Sequence, residues 1–448
     1  MMKIVSTSEC DRTKLVEGIK KRLNTFEGFF ARNVDAGTAA EVFGQKNLSA
    51  IDSVRRIIAD VREKGDDAVL SYSSSFDGVS ITRDELKVSE GEIEDACNRV
   101  DNSLLKAIKK AKDNISSFQD YIKIDSPGKF ATDGVSLELI YKPVEKIGIY
   151  VPGGRASYPS TVLMCAVPAQ IAGVERVVMC TPPDKDGKVS PERLDAAREA
   201  GVTDVYKIGG VQAIAAMAFG TDTVPKVDKI VGPGNVFVTM AKKEVYGYVD
   251  LDMLAGPSEV VVLADEKADA ALIASDLLSQ AEHPGAAILV TPSRQLAEGV
   301  LSEVKKQLVG LSTRELTEES LKDLGIMVVT SDMEEAVDIA NSIAPEHVEL
   351  HLEDPEAVLP RLRHAGTIFV GSFSPVAVGD YVAGASHVLP TGGTARFFSG
   401  LGVNDFLRRS SVISYSRKAL KEAAEDIITM AEAEGLPAHA QSVRMRLK

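Results

Sequence analysis

The segment 147–208 decides the fold class. It reads IGIYV at Ile147–Val151, TVLMCAVPAQIA at Thr161–Ala172, VVMC at Val177–Cys180 and VYKI at Val205–Ile208. Three of these runs are short and mostly apolar, as expected of strands that a parallel sheet buries on both faces. The longer run has the length of a helix. Strands that alternate with helices in this way predict a doubly wound α/β fold with a largely parallel sheet.

The same alternation continues along the rest of the chain, and there is enough of it for two α/β domains. Further strand-like runs are Lys229–Val231, Val260–Leu263, Ile288–Val290, Met327–Val329 and Thr367–Val370. Helical stretches are Ser49–Lys64, Leu104–Tyr121, Gln212–Ala218, Ala268–Ala281, Ser293–Leu308, Met333–Ile343 and the tail Lys418–Lys448. Val135–Tyr141 reads as an extended segment, and residues 1–44 read as an arm with short helical pieces.

The composition is that of an ordinary globular protein, with 448 residues, 44% hydrophobic and 26% charged. The net charge of −14 argues against nucleic acid or an anionic membrane as the main partner, and it tolerates a cationic substrate. The most apolar region, Val162–Cys180, is interrupted by Pro168, Gln170 and Glu175, so we expect no membrane span. Without a signal-peptide pattern at the start, we expect a cytoplasmic protein.

The four cysteines are Cys10, Cys97, Cys165 and Cys180, and none forms a C-x-x-C pair. Neither a zinc ribbon nor a disulfide framework is indicated, so we expect free thiols in a reducing compartment. Cys165 lies in an apolar run, where a small buried hydrophobic residue is the more common role than a nucleophile.

Histidines are concentrated between Ile343 and Arg396. This stretch holds four of the six in the chain, namely His347, His351, His364 and His387. Glu346 precedes the first of them, and Asp380 lies further on. Glutamate, aspartate and histidine are the residues of acid–base and metal chemistry. Solvated histidines on loops between βα units are an equally good interpretation from composition alone.

Two other patterns point to ligands without deciding between them. Gln280 and His283 are three residues apart near a predicted helix end, which places both side chains on one face. Asp380 and a further histidine could complete a four-ligand zinc site, although Q-x-x-H alone is a weak signal. Glycine-rich turns follow several strands, as at Gly153-Gly154 and Gly209-Gly210. None is a G-x-G-x-x-G fingerprint, so a dinucleotide site and ordinary βα turns both remain possible.

Several longer motifs together resemble the histidinol dehydrogenase family, from about Gly148 to His439 and more loosely over the N-terminal arm. They are Gly148–Gly154, Gly209–Ala216, Val231–Asn235, Asp252–Val260 (DMLAGPSEV), Gln280–His283, Ala344–His347 and Gly379–Arg396. The departures are modest: many relatives have Asn at the position of Cys165 and Thr-Asn at that of Ala385-Ser386, and the segment after His283 is about two residues shorter. The change beside His387 puts fine substrate placement in doubt.

The resemblance implies a site. One zinc per subunit would be held by Gln280, His283, Asp380 and His439, with the last supplied by the other subunit. His347 would be the general base for the alcohol, and Glu346 would activate water. Together with His347 and the zinc ligands, the residues that would contact substrate are Ser258, His387 and Glu434. NAD would contact Tyr150, Gln212 and Asn235.

The resemblance also implies a fold and a reaction. The fold would be two incomplete Rossmann-like domains, of the aldehyde-dehydrogenase-like type, with small helical end pieces in an intertwined homodimer. We place an arm at 1–44, a main domain at 45–149 and 260–402, an NAD-binding domain at 150–259, and a tail at 403–448 that completes the partner's site.

The expected reaction is the NAD-linked oxidation of L-histidinol through L-histidinal to L-histidine, the last step of histidine biosynthesis. A family relative that oxidises another polar alcohol, and a non-enzymatic nucleotide-binding or scaffolding protein on the same fold, are the alternatives.

Overall fold

The computed structural model describes residues 2–23, 36–44, 47–154, 157–283 and 285–448, so residues 24–35 of the predicted arm lie outside the described part. The strands are β1 Lys3–Ser6, β2 Lys129–Thr132, β3 Val135–Pro143, β4 Lys146–Tyr150, β5 Arg176–Thr181, β6 Asp204–Lys207, β7 Lys229–Val231, β8 Asp250–Leu251, β9 Glu259–Ala264, β10 Ala286–Thr291, β11 Ile326–Val329, β12 His347–His351, β13 Thr367–Val370 and β14 Leu407–Tyr415.

The α-helices are labelled in the same way. They are α1 Arg12–Leu23, α2 Ala36–Phe43, α3 Ala50–Lys64, α4 Asp66–Asp77, α5 Glu90–Cys97, α6 Asn102–Ile122, α7 Pro159–Ala172, α8 Pro191–Glu199, α9 Gly210–Phe219, α10 Val236–Val245, α11 Ala270–Ala281, α12 Arg294–Leu308, α13 Arg314–Asp323, α14 Met333–Ile343, α15 Val376–Tyr381, α16 Arg417–Ala433 and α17 Pro437–Leu447.

A six-stranded parallel sheet has the order β1-β11-β10-β9-β12-β13. Its central strands β9, β10 and β12 are buried along their whole length. Helices α11 and α12 cover one face, and α1 and α14 cover the other. The chain runs outward from β9 to β10 and β11, then returns to β12 on the other side, so the strand order reverses between β9 and β12.

A five-stranded parallel sheet has the order β6-β5-β4-β7-β8. Helices α7 and α8 pack on one face, and α3, α4, α9 and α10 pack on the other. Here the order reverses between β4 and β7. The predicted α/β class with parallel sheets is confirmed.

The helices that were predicted upstream of this sheet begin at side-chain caps. Ser49 accepts a hydrogen bond from the backbone N–H of Asp52 at the start of α3, and Asp101 accepts one from Ser103 at the start of α6. Such caps satisfy backbone donors that a helix leaves free at its N-terminus. The two helices therefore begin where the sequence predicts, to within two residues.

Five strands were not predicted, namely β1, β2, β8, β12 and β14. In β12, His347, Glu349 and His351 alternate with Val348 and Leu350, so the strand lacks the continuous apolar run that identifies a buried parallel strand. β1 is four residues long and lies in the predicted arm. β14 is mostly exposed and pairs antiparallel with β3 in a three-stranded sheet of order β14-β3-β2.

The predicted domain boundaries stay a prediction. Several segments pack against a sheet other than the one that those boundaries imply. β1, from the predicted arm, belongs to the six-stranded sheet. Helices α3 and α4, from the segment that we assigned to the main domain, pack against the five-stranded sheet. β4 also belongs to that sheet. Within the described residues, no helix combines the length and apolar character needed to cross a bilayer.

Candidate active site

The predicted acid–base residues lie at the amino edge of the six-stranded sheet, where β9 and β12 are neighbours. His347 opens β12 and pairs in register with Val260, so Glu346 lies beside Glu259. Ligands of open α/β sheets usually bind at the carboxyl ends of the strands. Here the reactive side chains lie at the opposite edge, where helices α11 and α14 end.

Glu346 is buried, with 6% of its surface exposed. Its carboxyl group accepts hydrogen bonds from the Ser258 hydroxyl and from the backbone N–H of Glu259 at 3.2 Å. Burial raises the pKa of Glu346 to about 8, although both hydrogen bonds act to lower it. A carboxyl group with this pKa can both give and take a proton near neutral pH.

His347 is buried beside it, and neither ring nitrogen has a hydrogen-bond partner among the described residues. Its Nδ1 lies 3.7 Å from Oε2 of Glu346, and its ring faces Phe369 at a centroid distance of 5.9 Å. Burial lowers the pKa of His347. The side chain is therefore a neutral imidazole at neutral pH, with a lone pair available to accept a proton.

Glu259 completes this group, and the sequence reasoning missed it. Its fully buried carboxyl accepts from the backbone N–H groups of Glu346 at 3.2 Å and Gly392 at 2.8 Å. Burial, and then the nearby charge of Glu346, raise the pKa of Glu259 well above its usual value. Each of the two glutamates thus accepts a hydrogen bond from the backbone N–H of the other. The sequence does contain one sign of its role, because Glu259 is an acidic residue at the start of an apolar strand within the motif Asp252–Val260.

Three of the four predicted zinc ligands come together near His347. Gln280 lies in the last turn of α11 and donates from Nε2 to the Ser258 hydroxyl at 2.9 Å, which leaves its amide oxygen to face a ligand. His283 follows α11 and is exposed. Asp380 lies on α15; burial raises its pKa, and the neighbouring His347 and His283 act to lower it.

The remaining predicted ligand, His439, is exposed on α17, and Glu434 is exposed at the end of α16. Within the described part of the chain, no hydrogen bond or ion pair joins either side chain to Gln280, His283 or Asp380. One chain thus supplies an amide oxygen, an imidazole nitrogen and a carboxylate oxygen. Imidazole and carboxylate are common zinc ligands, and an amide oxygen is an unusual one, so these residues are candidates for a metal site.

His387 connects the two sheets. Its Nδ1 lies 3.0 Å from the carbonyl oxygen of Asp380, and its Nε2 lies 3.3 Å from the hydroxyl of Thr161. Thr161 is in the first turn of α7, which follows β4 of the five-stranded sheet. Burial lowers the pKa of His387 to about 4, so this ring is neutral and serves hydrogen bonding. The amino edge of one sheet therefore meets the carboxyl edge of the other.

The predicted NAD residues lie at that carboxyl edge, around the reversal between β4 and β7. Tyr150 ends β4, and its hydroxyl accepts from the backbone N–H of Gly210 at 3.1 Å. Gln212 is 1% exposed, and neither the nitrogen nor the oxygen of its amide has a hydrogen-bond partner in the described part of the chain. Asn235 caps α10 by accepting from the N–H groups of Phe237 and Val238, each at 3.0 Å.

Asp77 and Arg193 lie near Tyr150, and the sequence reasoning missed both. Burial raises the pKa of Asp77 to about 6, and one of its carboxyl oxygens is buried without a partner. Arg193 donates to the hydroxyl of Thr181 at 2.6 Å, while its Nε has no partner among the described residues. Buried polar atoms are rarely left unpaired in folded proteins, which marks this edge as a place where a polar ligand belongs.

Buried acid–base groups beside the N-termini of helices that follow a parallel sheet are typical of an α/β enzyme site. The family model described as histidinol dehydrogenase matches residues 43–447. The histidinol dehydrogenase of Heliobacterium mobile is 50% identical over 397 residues, which is 88% of this chain and 93% of that protein. That of Geobacillus kaustophilus is 51% identical over 419 residues, 93% of this chain and 96% of that protein.

A crystal structure agrees with the sequence comparisons. The histidinol dehydrogenase of Elizabethkingia anophelis superposes with a TM-score of 0.86 at 37% identity, and the match covers 95% of this chain and 96% of that one. The chain therefore belongs to the histidinol dehydrogenase family. As predicted, it is an NAD-dependent dehydrogenase.

Proposed function

We propose that the protein oxidises L-histidinol to L-histidine through L-histidinal and reduces two NAD for each product. This is the last step of histidine biosynthesis. The observation that carries the proposal is His347, a buried neutral imidazole held beside Glu346, whose two nitrogens have no hydrogen-bond partner among the described residues. A base in this state can take the hydroxyl proton as hydride leaves the carbinol carbon.

His347 and Glu346 divide the proton transfers. Oxidation of a primary alcohol to an acid needs two hydride losses, with addition of water to the aldehyde between them. His347 accepts the alcohol proton in the first oxidation. Glu346, whose pKa is raised to about 8, takes a proton from water at the aldehyde stage when it is ionised. Ser258 and the Glu259 N–H hold its carboxyl group in place for that step.

Gln280, His283 and Asp380 would hold a zinc ion, with His439 of a second copy of this chain as the fourth ligand. When bound, zinc supplies a fixed positive centre that aligns the amine and imidazole of the substrate and has no redox role. Support comes from the donor types of the three residues, from their position around His347, and from the exposure of His439 away from them.

Substrate recognition falls to neutral and acidic groups. His387 is held neutral between Asp380 and Thr161, and Ser258 lies between Gln280 and Glu346. We place Glu434 of the second copy on the substrate amine, for which a carboxylate is the natural partner. The net charge of −14 suits a substrate that carries an ammonium group.

The NAD site would lie along Tyr150, Gln212 and Asn235, in a half built like a Rossmann fold. Helices α7, α9 and α10 begin there, and helix N-termini favour phosphate groups. An intertwined homodimer in the cytoplasm is the assembly that this site requires.

Purified protein tests the function directly. We expect two NADH per histidinol consumed, with histidine as the final product, measured by absorbance and by amino-acid analysis. One NADH per histidinol with accumulated aldehyde would instead indicate an alcohol dehydrogenase that lacks the second step. NADH formation from other polar alcohols at a comparable kcat/KM would favour the relative with a different substrate.

A further inference from the structure

A second group of titratable side chains lies beneath the active site, on the same face of the six-stranded sheet. His351 and Glu349 follow His347 on β12 at intervals of two residues, so all three side chains point to one face. Asp276 lies on α11, four residues before Gln280, and therefore on the same face of that helix. We refer to Asp276, Glu349 and His351 as the lower triad.

The contacts of the lower triad are ionic and mostly buried. Nε2 of His351 lies 3.3 Å from Oδ2 of Asp276 and 3.8 Å from Oε2 of Glu349. His351 and Glu349 are 5% and 1% exposed. Although burial lowers it, the interactions with Asp276 and Glu349 raise the pKa of His351 to about 9, so the ring is a cation beside two acids.

Each acid of the lower triad reaches a different helix of the site. Asp276 belongs to α11, which carries Gln280 one turn later. Glu349 accepts a hydrogen bond at 3.0 Å from the backbone N–H of Val376, the first residue of α15. That helix carries Asp380 four residues later. His351 on β12 therefore contacts both acids. Asp276 lies one turn before Gln280 in α11, and Glu349 binds the first residue of α15, the helix that carries Asp380.

We propose that the lower triad is a positioning device that fixes helices α11 and α15 relative to β12, and thereby sets the spacing between Gln280 and Asp380. The inference rests on the proposed function, because it takes those two residues to be zinc ligands. Removal of a group that hydrogen-bonds to and orients metal ligands typically weakens metal binding about 10–100-fold.

The ligating atoms of the three residues lie within 4.8 Å of one another, a spacing that a metal ion could also bridge. Among the described residues, Oε2 of Glu349 and Nδ1 of His351 have no hydrogen-bond partner, which leaves atoms available for that role. In our proposal the protonated Nε2 of His351, and not a metal ion, lies between the two carboxyl groups. A count of bound metal separates these alternatives.

The test measures zinc affinity on the purified full-length protein, by competition with a chelating indicator. Asp276→Ala should raise the zinc dissociation constant about 10–100-fold. Asp276→Asn should restore most of the affinity, because its amide oxygen can accept the same hydrogen bond from His351. Glu349→Ala and Glu349→Gln form a second pair of the same design.

Asp66→Ala is the matched control. Asp66 is a buried acid in α4 that accepts from Thr223 at 2.6 Å and pairs with Arg83, far from α11 and α15 in the chain. It should lower the unfolding temperature of the metal-free protein without changing zinc affinity. Unchanged affinity in both alanine variants of the lower triad, with a loss of stability like that of the control, would overturn the positioning role.

Metal stoichiometry gives the remaining outcomes. A wild-type protein with two zinc ions per chain, one of which Asp276→Ala removes, would make the lower triad a metal site and overturn the proposal. A wild-type protein that binds no zinc would remove the proposed metal centre and this inference together. If the wild type binds one zinc and the lower-triad variants have the same zinc affinity, the positioning role is wrong and the proposed metal centre stands.

Discussion

The amino edge of the six-stranded sheet and the carboxyl edge of the five-stranded sheet face each other, and they are built from opposite ends of helices. At the first edge, α11 and α14 end, and the side chains are carboxyl groups and imidazoles. At the second edge, α7, α9 and α10 begin, and the predicted NAD residues are a phenol and two amides, with Asp77 and Arg193 nearby. Helix C-termini favour cations, and helix N-termini favour anions.

The direction of the helices alone predicts which charge of ligand each edge favours. A zinc ion and an ammonium-bearing substrate belong at the edge where helices end. The pyrophosphate of a dinucleotide belongs at the edge where helices begin. In the proposed function, two ligands of opposite charge would therefore lie opposite each other, one at the amino edge of the six-stranded sheet and one at the carboxyl edge of the five-stranded sheet. Experiments that affect one edge and spare the other test this division.

Metal removal should have the largest effect. Chelated, metal-free protein should lose all detectable NADH formation while its far-ultraviolet circular dichroism stays unchanged, because the zinc ligands lie at an edge and not in a core. NAD affinity, measured by calorimetry, should change little. Readdition of zinc is the control for irreversible damage. Full activity in metal-free protein would show that the zinc assignment is wrong.

The acid–base pair comes next. His347→Asn should slow the oxidation of histidinol, and Glu346→Gln should slow the oxidation of histidinal more than that of histidinol. Loss of a positioned acid–base group typically lowers the rate about 10²–10⁴-fold. The two half-reactions are measured separately by supplying alcohol or aldehyde in single-turnover experiments. Equal losses in both half-reactions for both variants would refute the division of roles but would leave the family unaffected.

We propose that His439 of a second copy completes the amino edge, and subunit mixing tests this. His439→Ala and Gln280→Ala should each be inactive alone. In mixed dimers, one site carries both defects and the other carries neither, so about a quarter of all sites should recover if subunits pair at random. Differently tagged subunits allow the mixed dimers to be isolated and assayed. Confirmed mixed dimers without recovered activity would place His439 in the site of its own chain.

The carboxyl edge should give the smallest effect. Gln212→Leu removes a buried amide that has no protein partner, so it should raise the KM for NAD about tenfold, the effect of losing one or two hydrogen bonds. Zinc affinity and the stability of the free protein should not fall. Gln119→Leu is the matched control, because Gln119 is equally buried but accepts from Val403 at 2.8 Å. The control should lose stability and keep its KM for NAD.

The sequence was sufficient for the apolar strands and insufficient for the strand that carries the chemistry. Val177–Cys180 and Val260–Leu263 are apolar because both faces of their sheets are covered, so their pattern reports burial directly. β12 is just as buried, but His347, Glu349 and His351 occupy one of its faces. Their burial depends on partners in α11 and α15, which are distant in sequence, and no local pattern contains that information.

The site residues show the same limit. Spacing alone left Gln280 and His283 as a weak metal signal, and it was the resemblance to a family that gave each residue a role. Glu259 was missed although it adjoins Ser258, because its partner Glu346 comes from a strand 87 residues away. Asp77 was missed because only the folded chain brings it next to Tyr150. Pairs of this kind become visible once the strand order is known.

The strand β1 has a consequence for how the chain reaches this structure. Residues 3–6 pair with residues 326–329, whereas the five-stranded sheet is built from the continuous segment 146–251. At a synthesis rate of about 5–20 residues per second, the first strand waits roughly 15–60 s for a partner about 320 residues away. We expect the five-stranded half to fold first on the ribosome. The amino edge with the proposed acid–base residues would then be assembled last, when β1 pairs with the strands that follow residue 258.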